Sequence, residues 1–248
     1  MIICKSPAEI EKLRRAGRMV RELLQEIAGR VRPGASTLEY ERYAERRLAQ
    51  LGARPAFKGY RSYPCCLCTS VNDQIVHGIP SERRLKEGDI LSLDLGVVLD
   101  GYYGDSAMTV PVGKTSEEIQ KLLRVTEESL ELAIDKTRLG NHLGDVSATV
   151  QQHVEKNGYS VVREFVGHGI GRELHESPQI PNYGQPGHGP VLKEGMVLAL
   201  EPMVNSGGAA LRVLDDHWTA VTADGGLSAH FEHMVAVTRN GPDVLTRV

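Results

Sequence analysis

The sequence predicts an α+β fold in which a pair of helices followed by antiparallel strands occurs twice. Three observations predict it. The segment Leu85-Lys86-Glu87-Gly88 recurs as Leu192-Lys193-Glu194-Gly195, and Ile90-Leu91-Ser92-Leu93-Asp94 is matched in type by Val197-Leu198-Ala199-Leu200-Glu201. Gly34 and Gly52 bracket one helical stretch, and Gly140 and Gly158 bracket another at the corresponding place. Helix-capping signals open segments of helical period, and segments of strand period follow them.

The elements follow in order. Ser6-Pro7-Ala8-Glu9 reads as a capping box with proline in the first turn, opening a helix to about Val31 that Pro33-Gly34 stops. A second helix runs from Thr37 to Leu51 and ends at Gly52. Leu67, Thr69 and Val71 have strand period, as do Leu91, Leu93 and Leu95 against Ser92, Asp94 and Gly96. A turn at Asp100-Gly101 leads into a further strand containing Asp105. Thr115-Ser116-Glu117-Glu118 reads as a capping box for a helix to about Thr137, and Asp145 to Lys156 forms the fourth. The register of the repeat slips between His77-Gly78-Ile79 and His168-Gly169-Ile170, which places a longer loop in the second half. No Ser/Pro-rich linker separates the halves, so the expectation is one domain over residues 1–248, with pseudo-symmetric halves of roughly 1–112 and 113–248.

Composition narrows the function. With 41% hydrophobic and 25% charged residues, the chain is neither disordered nor collagen-like nor a coiled coil. It contains no apolar run of membrane-spanning length. The N-terminal stretch MIICKSPAEIEKLRRAG lacks the apolar segment of a secretory signal, so a cytoplasmic location is expected. A net charge of −3 argues against nucleic-acid binding as the main activity. Cys65 and Cys68 form a C-x-x-C, but no second Cys/His pair lies nearby to complete a zinc site, and strand residues follow it. Reduced, small packing residues are the favoured reading of Cys65, Cys66 and Cys68.

Acidic residues within apolar strands carry the functional signal. Asp94 lies in ILSLDLGVVL, Asp105 in YYGDSAMTV, Glu201 in MVLALEPMV and Glu232 in SAHFEHMVAV. A buried, unpaired carboxylate costs several kcal/mol, so such a group must be paired, protonated or bound to a metal. A single one is most simply a salt bridge. Four, two of them at corresponding places in a repeat with few basic residues nearby, favour metal. An oxygen-rich donor set with one or two imidazoles suits divalent Mn, Fe, Co or Zn, and four carboxylates balance two such ions. Two metals sharing a water would deliver hydroxide to a carbonyl, which predicts metal-assisted hydrolysis. His168, framed by glycines in Phe165-Val166-Gly167-His168-Gly169-Ile170-Gly171, is the histidine expected to complete the site. That G-x-G-x-G spacing does not suit a dinucleotide loop. His142, His153, His188, His217 and His230 are expected at the surface, and His233 on the strand face opposite Glu232.

These residues resemble the type I methionine aminopeptidases, of the pita-bread fold shared with prolidase, aminopeptidase P and creatinase. The motifs VNDQIVHGIP, LSLDLG, YYGDSAMTV, VGHGIGRELHESP, GMVLALEPM and LSAHFEHM carry the resemblance across nearly the whole chain. It implies a curved antiparallel sheet with helices on its outer face, and five metal ligands: Asp94, Asp105, His168, Glu201 and Glu232. By that analogy Asp105 and Glu232 bridge two ions, Asp94 holds one, and His168 with Glu201 holds the other. The bridging hydroxide would be the nucleophile and Glu201 the proton carrier. His77 and His175 would position substrate and stabilise the tetrahedral intermediate. The resemblance further implies removal of the N-terminal methionine of nascent chains with a small second residue, and a monomer.

Phe57, Tyr60, Tyr63, Cys68 and Trp218 are candidates for the methionine pocket, which should be apolar with soft and aromatic walls. Leu174 stands where the family usually has phenylalanine, and Phe57 where relatives often have a smaller residue. Three competing readings are an Xaa-Pro peptidase of the same fold, a non-enzymatic binding protein on the same scaffold, and a ribosome-associated factor. For the last, Arg14, Arg15, Arg18 and Arg21 offer a helix face, although a solvated face is the simpler meaning.

Overall fold

The computed structural model describes residues 1–248. Helix α1 (Pro7–Ala28) starts as expected: Ser6 caps it, and the Glu9 carboxylate accepts the Ser6 backbone N–H at 3.0 Å. It stops at Ala28 rather than near Val31, because Gly29 caps it and Pro33 disfavours helical geometry at Arg32. Helix α2 (Thr37–Gln50) opens with the reciprocal pair Ser36 and Glu39. Helix α3 (Glu117–Lys136) departs from expectation. Its cap is Ser116, which accepts from Ile119 N–H at 3.3 Å, so no glutamate stands three residues on to close a box. Helix α4 (Leu143–Lys156) begins two residues before Asp145, whose carboxylate accepts the N–H of His142 at 2.8 Å.

The strands of the first half centre on a long hairpin. Ile90–Leu99 pairs with Tyr102–Pro111 on one side, and with Leu67–Val71 and Arg54–Pro55 on the other. In the second half, Val197–Leu200 lies between Gly167–Gly169 and His233–Thr238, with Glu176–Ile180 and Gly241–Val244 at the edges. Strand Ile90–Leu99 is buried on both faces, so its leucine alternation does not mark a half-solvated strand. Its polar positions are satisfied internally: the Ser92 and Thr109 hydroxyls lie 2.8 Å apart.

The two halves are joined by strand contacts. Ala107 of the hairpin bridges Glu232, and Gln74–Val76 pairs with Ala220–Thr222. Helices α1 and α2 cover the first sheet, with Val20, Leu23, Tyr40 and Ala44 packed on Leu91, Leu93 and Leu95. Helices α3 and α4 cover the second in the same way, through Leu122, Leu130, Val146 and Val150 against Leu198 and Val235. The apolar stripe of each helix thus faces one sheet, and each fully buried leucine or valine contributes about 1.5–3 kcal/mol. The arginines of α1 do not form one solvated face: Arg14 is half-buried and hydrogen-bonds Asp243 at 2.6 Å, while Arg18 is exposed. No helix is long and apolar enough to cross a membrane.

Helix α1 lies against the hairpin at glycine. A Cβ on Gly104 would stand 2.5 Å from the backbone carbonyl of Ala16. Gly104→Ala is expected to push α1 away from the sheet and cost about 1–3 kcal/mol, as overpacked sites do. Urea denaturation would measure it, and an unchanged midpoint would contradict this account of the helix–sheet contact.

Candidate functional site

Hairpin parity sets the first two carboxylates. Asp94 is opposite Ala107 and Asp105 opposite Gly96, so both side chains leave the same face. Glu201 and Glu232 are not inside strands, as the sequence suggests, but at breaks. Glu201 follows Val197–Leu200 and precedes Pro202; Glu232 sits between Ser228–His230 and His233–Thr238. A break frees the side chain from the strict alternation of the sheet, and proline contributes no ladder N–H. His168 belongs to Gly167–Gly169. A Cβ on either flanking glycine would collide with backbone, so only glycine lets this short strand pack there.

These elements bring all five predicted ligands to one cavity of about 230 Å³. Ligand atoms of Asp105, His168 and Glu232 lie within 4.8 Å of one another. His168 Nε2 is 3.8 Å from Asp105 Oδ2 and 3.6 Å from Glu201 Oε1. His168 Nδ1 donates to the Gly169 carbonyl at 2.9 Å. A carbonyl only accepts, so Nδ1 carries the proton and the Nε2 lone pair faces the carboxylates.

The acidic cluster lacks a cationic partner within the protein. Asp94 Oδ1, Asp105 Oδ1 and Glu232 Oε1 are buried without hydrogen-bond partners. No lysine or arginine pairs with any of the four carboxylates. Burial, followed by repulsion from neighbouring carboxylates, holds Asp105 and Glu232 well above the ordinary carboxylate range. Burial also pushes Asp94 up to about 7 and Glu201 to about 8. The buried imidazoles shift the other way: His168 is lowered to about 3 and His77 to about 4, each chiefly by burial. Orphaned acidic oxygens facing a neutral imidazole fit a cation of borderline hardness, and the donor set accommodates divalent metal. Glu41 is the instructive contrast. It is also buried, yet it accepts the N–H groups of Cys66 and Leu67 at 2.8 and 2.9 Å and needs no metal.

The predicted substrate residues line the same cavity: Phe57, Tyr60, Tyr63, Cys68, His77, His175 and Trp218. Trp218 meets Tyr63 edge-on at 5.1 Å between centroids, and His77 lies edge-on to Phe165 at 5.2 Å. His77 adopts a left-handed backbone, φ 61°, that turns it out of the preceding strand. His175 is exposed at the cavity, with its Nδ1 2.8 Å from the Tyr60 hydroxyl. Lys5 and Glu176 form a buried ion pair next to it, and Glu176 also accepts the N–H of Arg172, which braces the turn leading to His175. Cys4, Cys65, Cys66 and Cys68 are all free thiols.

The sequence missed several wall residues: Val76, Phe165, Val166 and Leu174 also line the cavity, and Arg61 reaches it. Phe165 and Val166 adjoin the glycine frame of His168, the one signal that could have found them. His230 is a correction. Expected at the surface, it is 1% exposed, and its Nε2 lies 3.6 Å from Glu201 Oε2. Strict alternation puts it on the same face as Glu232, two residues on; it is hidden in the sequence because no flanking motif marks it. His217 and His188 are exposed as expected.

Comparison with known proteins agrees with this geometry. The model of metallopeptidase family M24 matches residues 11–239. The methionine aminopeptidase of Clostridium perfringens is 52% identical over 248 residues, covering 100% of both chains. The crystal structure of methionine aminopeptidase from Thermotoga maritima superposes with a TM-score of 0.98 at 49% identity, again over 100% of both chains. Prolidase from Pyrococcus furiosus shares the fold at 24% identity, with a TM-score of 0.81 over 99% of this chain and 66% of that one. With the antiparallel sheets, the flanking helices and the acidic cavity already in place, these matches establish that the chain belongs to metallopeptidase family M24, among its methionine aminopeptidases.

Proposed function

We propose that this chain, as one catalytic unit, removes the N-terminal methionine of peptides and nascent proteins in the cytoplasm. One observation carries the reading. An apolar, aromatic-walled cavity of about 230 Å³ ends on four carboxylates that no lysine or arginine pairs with, three of them with an oxygen lacking any hydrogen-bond partner. That space suits one linear apolar side chain, and the acidic floor suits divalent metal and a free amino terminus together.

Asp94, Asp105, His168, Glu201 and Glu232 are the residues proposed to hold the metal. Two divalent ions, of Mn, Fe, Co or Zn, would balance four carboxylates. Bound there, they supply Lewis acidity, polarising a carbonyl and acidifying water. Phe57, Tyr63, Cys68 and Trp218 hold the methionine side chain and exclude water from it. Glu201 takes a proton from water and returns it to the leaving amine. His175 stabilises the oxyanion only if its Nε2 carries the proton, which requires Nδ1 to accept from the Tyr60 hydroxyl. His77, across the cavity, contacts the amide-nitrogen side of the scissile bond. Preference for a small second residue follows from the family and from the rim that Tyr60 and His175 form.

The reading is tested with metal-stripped protein on Met-Gly, Met-Leu and Ala-Pro peptides, with Mn, Co, Fe or Zn restored in turn. Release of methionine from Met-Gly, weak release from Met-Leu, and loss of activity by at least a hundredfold in Asp105→Asn are expected. Preferential cleavage of Ala-Pro would move the substrate to the Xaa-Pro class.

Tyr60→Phe should lower kcat about tenfold with little change in KM, because it removes the bond that fixes the His175 tautomer. A change confined to KM would count against that role.

Stability should depend on pH with a definite sign. The folded pKa values of Asp94 and Glu201 lie above those of the unfolded chain, so the folded state binds more protons. Metal-free protein therefore loses stability as pH rises through 7 to 8.5. The buried histidines are neutral in both states there and do not offset the loss. A loss of about 2 kcal/mol, a fall in Tm of roughly 5 °C, is expected over that window in chelator. Saturating Mn should abolish most of it, because the metal replaces the protons. A Tm that rises over this window in chelator would refute the assignment.

A further inference from the structure

His230 lies behind Glu201 rather than in the cavity wall. Its Nε2 is buried and has no hydrogen-bond partner. Its backbone cannot drift toward another partner, because Thr109 Oγ1 accepts the His230 N–H and bonds the His230 carbonyl, each at 2.8 Å. The nearest acidic oxygen is Glu201 Oε2 at 3.6 Å, just beyond hydrogen-bond distance. Glu201 Oε1, the other oxygen, lies 3.6 Å from His168 Nε2 on the cavity side. The carboxylate is therefore suspended between two imidazoles, and only one of them reaches the cavity.

We infer that His230 is a positioning residue: its Nε2–H donates to Glu201 Oε2 and holds Oε1 toward the cavity for a divalent cation. The inference rests on the reading of Glu201 as a metal ligand. A carboxylate bound to metal is ionised and only accepts, so His230 Nε2 must then carry the proton. Closing the 3.6 Å separation by well under 1 Å makes the bond and satisfies the orphaned Nε2. Imidazole donors behind ligating carboxylates tune metal affinity, typically by 10–100-fold. His230 does not touch substrate, so its effect should appear in metal binding before it appears in turnover.

Calorimetric titration of the metal-free protein with Mn(II) tests this, together with the visible spectrum of the Co(II) form. His230→Leu and His230→Asn remove the donor or place it out of reach, and should weaken Mn(II) binding about 10–100-fold and alter the Co(II) bands. His230→Gln keeps a donor of similar reach and should bind within about threefold of wild type. In wild-type protein labelled with ¹⁵N-histidine, the Nε2–H tautomer of His230 should be present with Zn(II) bound. That measurement decides the matter even where a variant fails to fold. Wild-type affinity in folded His230→Leu, or an Nδ1–H tautomer in the Zn(II) form, would overturn the inference. Asp105→Asn separates the two readings. If it binds Mn(II) as wild type does, the ligand assignment fails and this inference with it. If it loses binding while His230→Leu retains it, only the role of His230 falls.

Discussion

Mutual repulsion among four acidic groups in a low-dielectric cavity is the constraint on which the rest of this structure depends. Two carboxylates about 4 Å apart repel by roughly 4 kcal/mol at the effective dielectric of a protein. No arginine or lysine relieves them, and three of their oxygens have no hydrogen-bond partner. A fold left to itself would splay such groups toward water. Here the hairpin register fixes Asp94 and Asp105, and the Ala107–Glu232 bridge fixes a third group against them. The sheet converts ladder hydrogen bonding into a stored affinity for protons, or for the cations that replace them.

The same constraint accounts for the distribution of small and apolar residues around the site. His168 approaches the acids because Gly167 and Gly169 let its strand lie against the backbone of neighbouring strands. Helix α1 closes on the hairpin because Gly104 carries no side chain, and Gly17 lets the C-terminal segment at Leu245 lie against the helix. The strand that carries Asp105 is therefore held to helix α1 by direct backbone contact at Gly104, beside the packed side chains that cover the rest of the sheet. Precision in a dense core comes from such close contacts, since packed interiors resist small displacements.

Much of the site was legible in the sequence because hairpin parity and repeat position are local properties. Asp94 and Asp105 could be put on one face from the turn at Asp100-Gly101 alone, and Glu201 follows from its repeat mate. His168 announced itself by its glycines. What was not legible depends on breaks and loops. Glu201 and Glu232 sit where strands end, so a reading of continuous strands places them correctly in the cavity for an imperfect reason. His230 is hidden for a different reason: no glycine frame or repeat mate marks it, although alternation puts it on the face of Glu232. Val76 is distant in sequence from Phe165 and Leu174, and it joins them at the cavity from a strand paired with Ala220–Thr222. No periodicity encodes such a meeting. Helix boundaries erred for smaller reasons, as when Ser116 rather than Thr115 took the cap of α3.

The two kinds of buried carboxylate in this chain show why burial alone does not identify a metal centre. Glu41 is as inaccessible as Glu232, and burial raises its pKa as well. Yet two backbone N–H groups hold it, and it serves to anchor the strand that begins at Leu67 and carries Cys68 into the cavity. Glu232 has no donor at Oε1 and faces other acids. The difference lies in the accounting of hydrogen-bond partners rather than in charge or depth. A carboxylate whose lone pairs are filled by the backbone is part of the scaffold. One whose lone pairs converge with those of its neighbours must take up a proton or a cation. Glu41, on helix α2, holds the start of the strand on which Cys68 stands opposite Asp94. The satisfied acid fixes the register that the unsatisfied one needs.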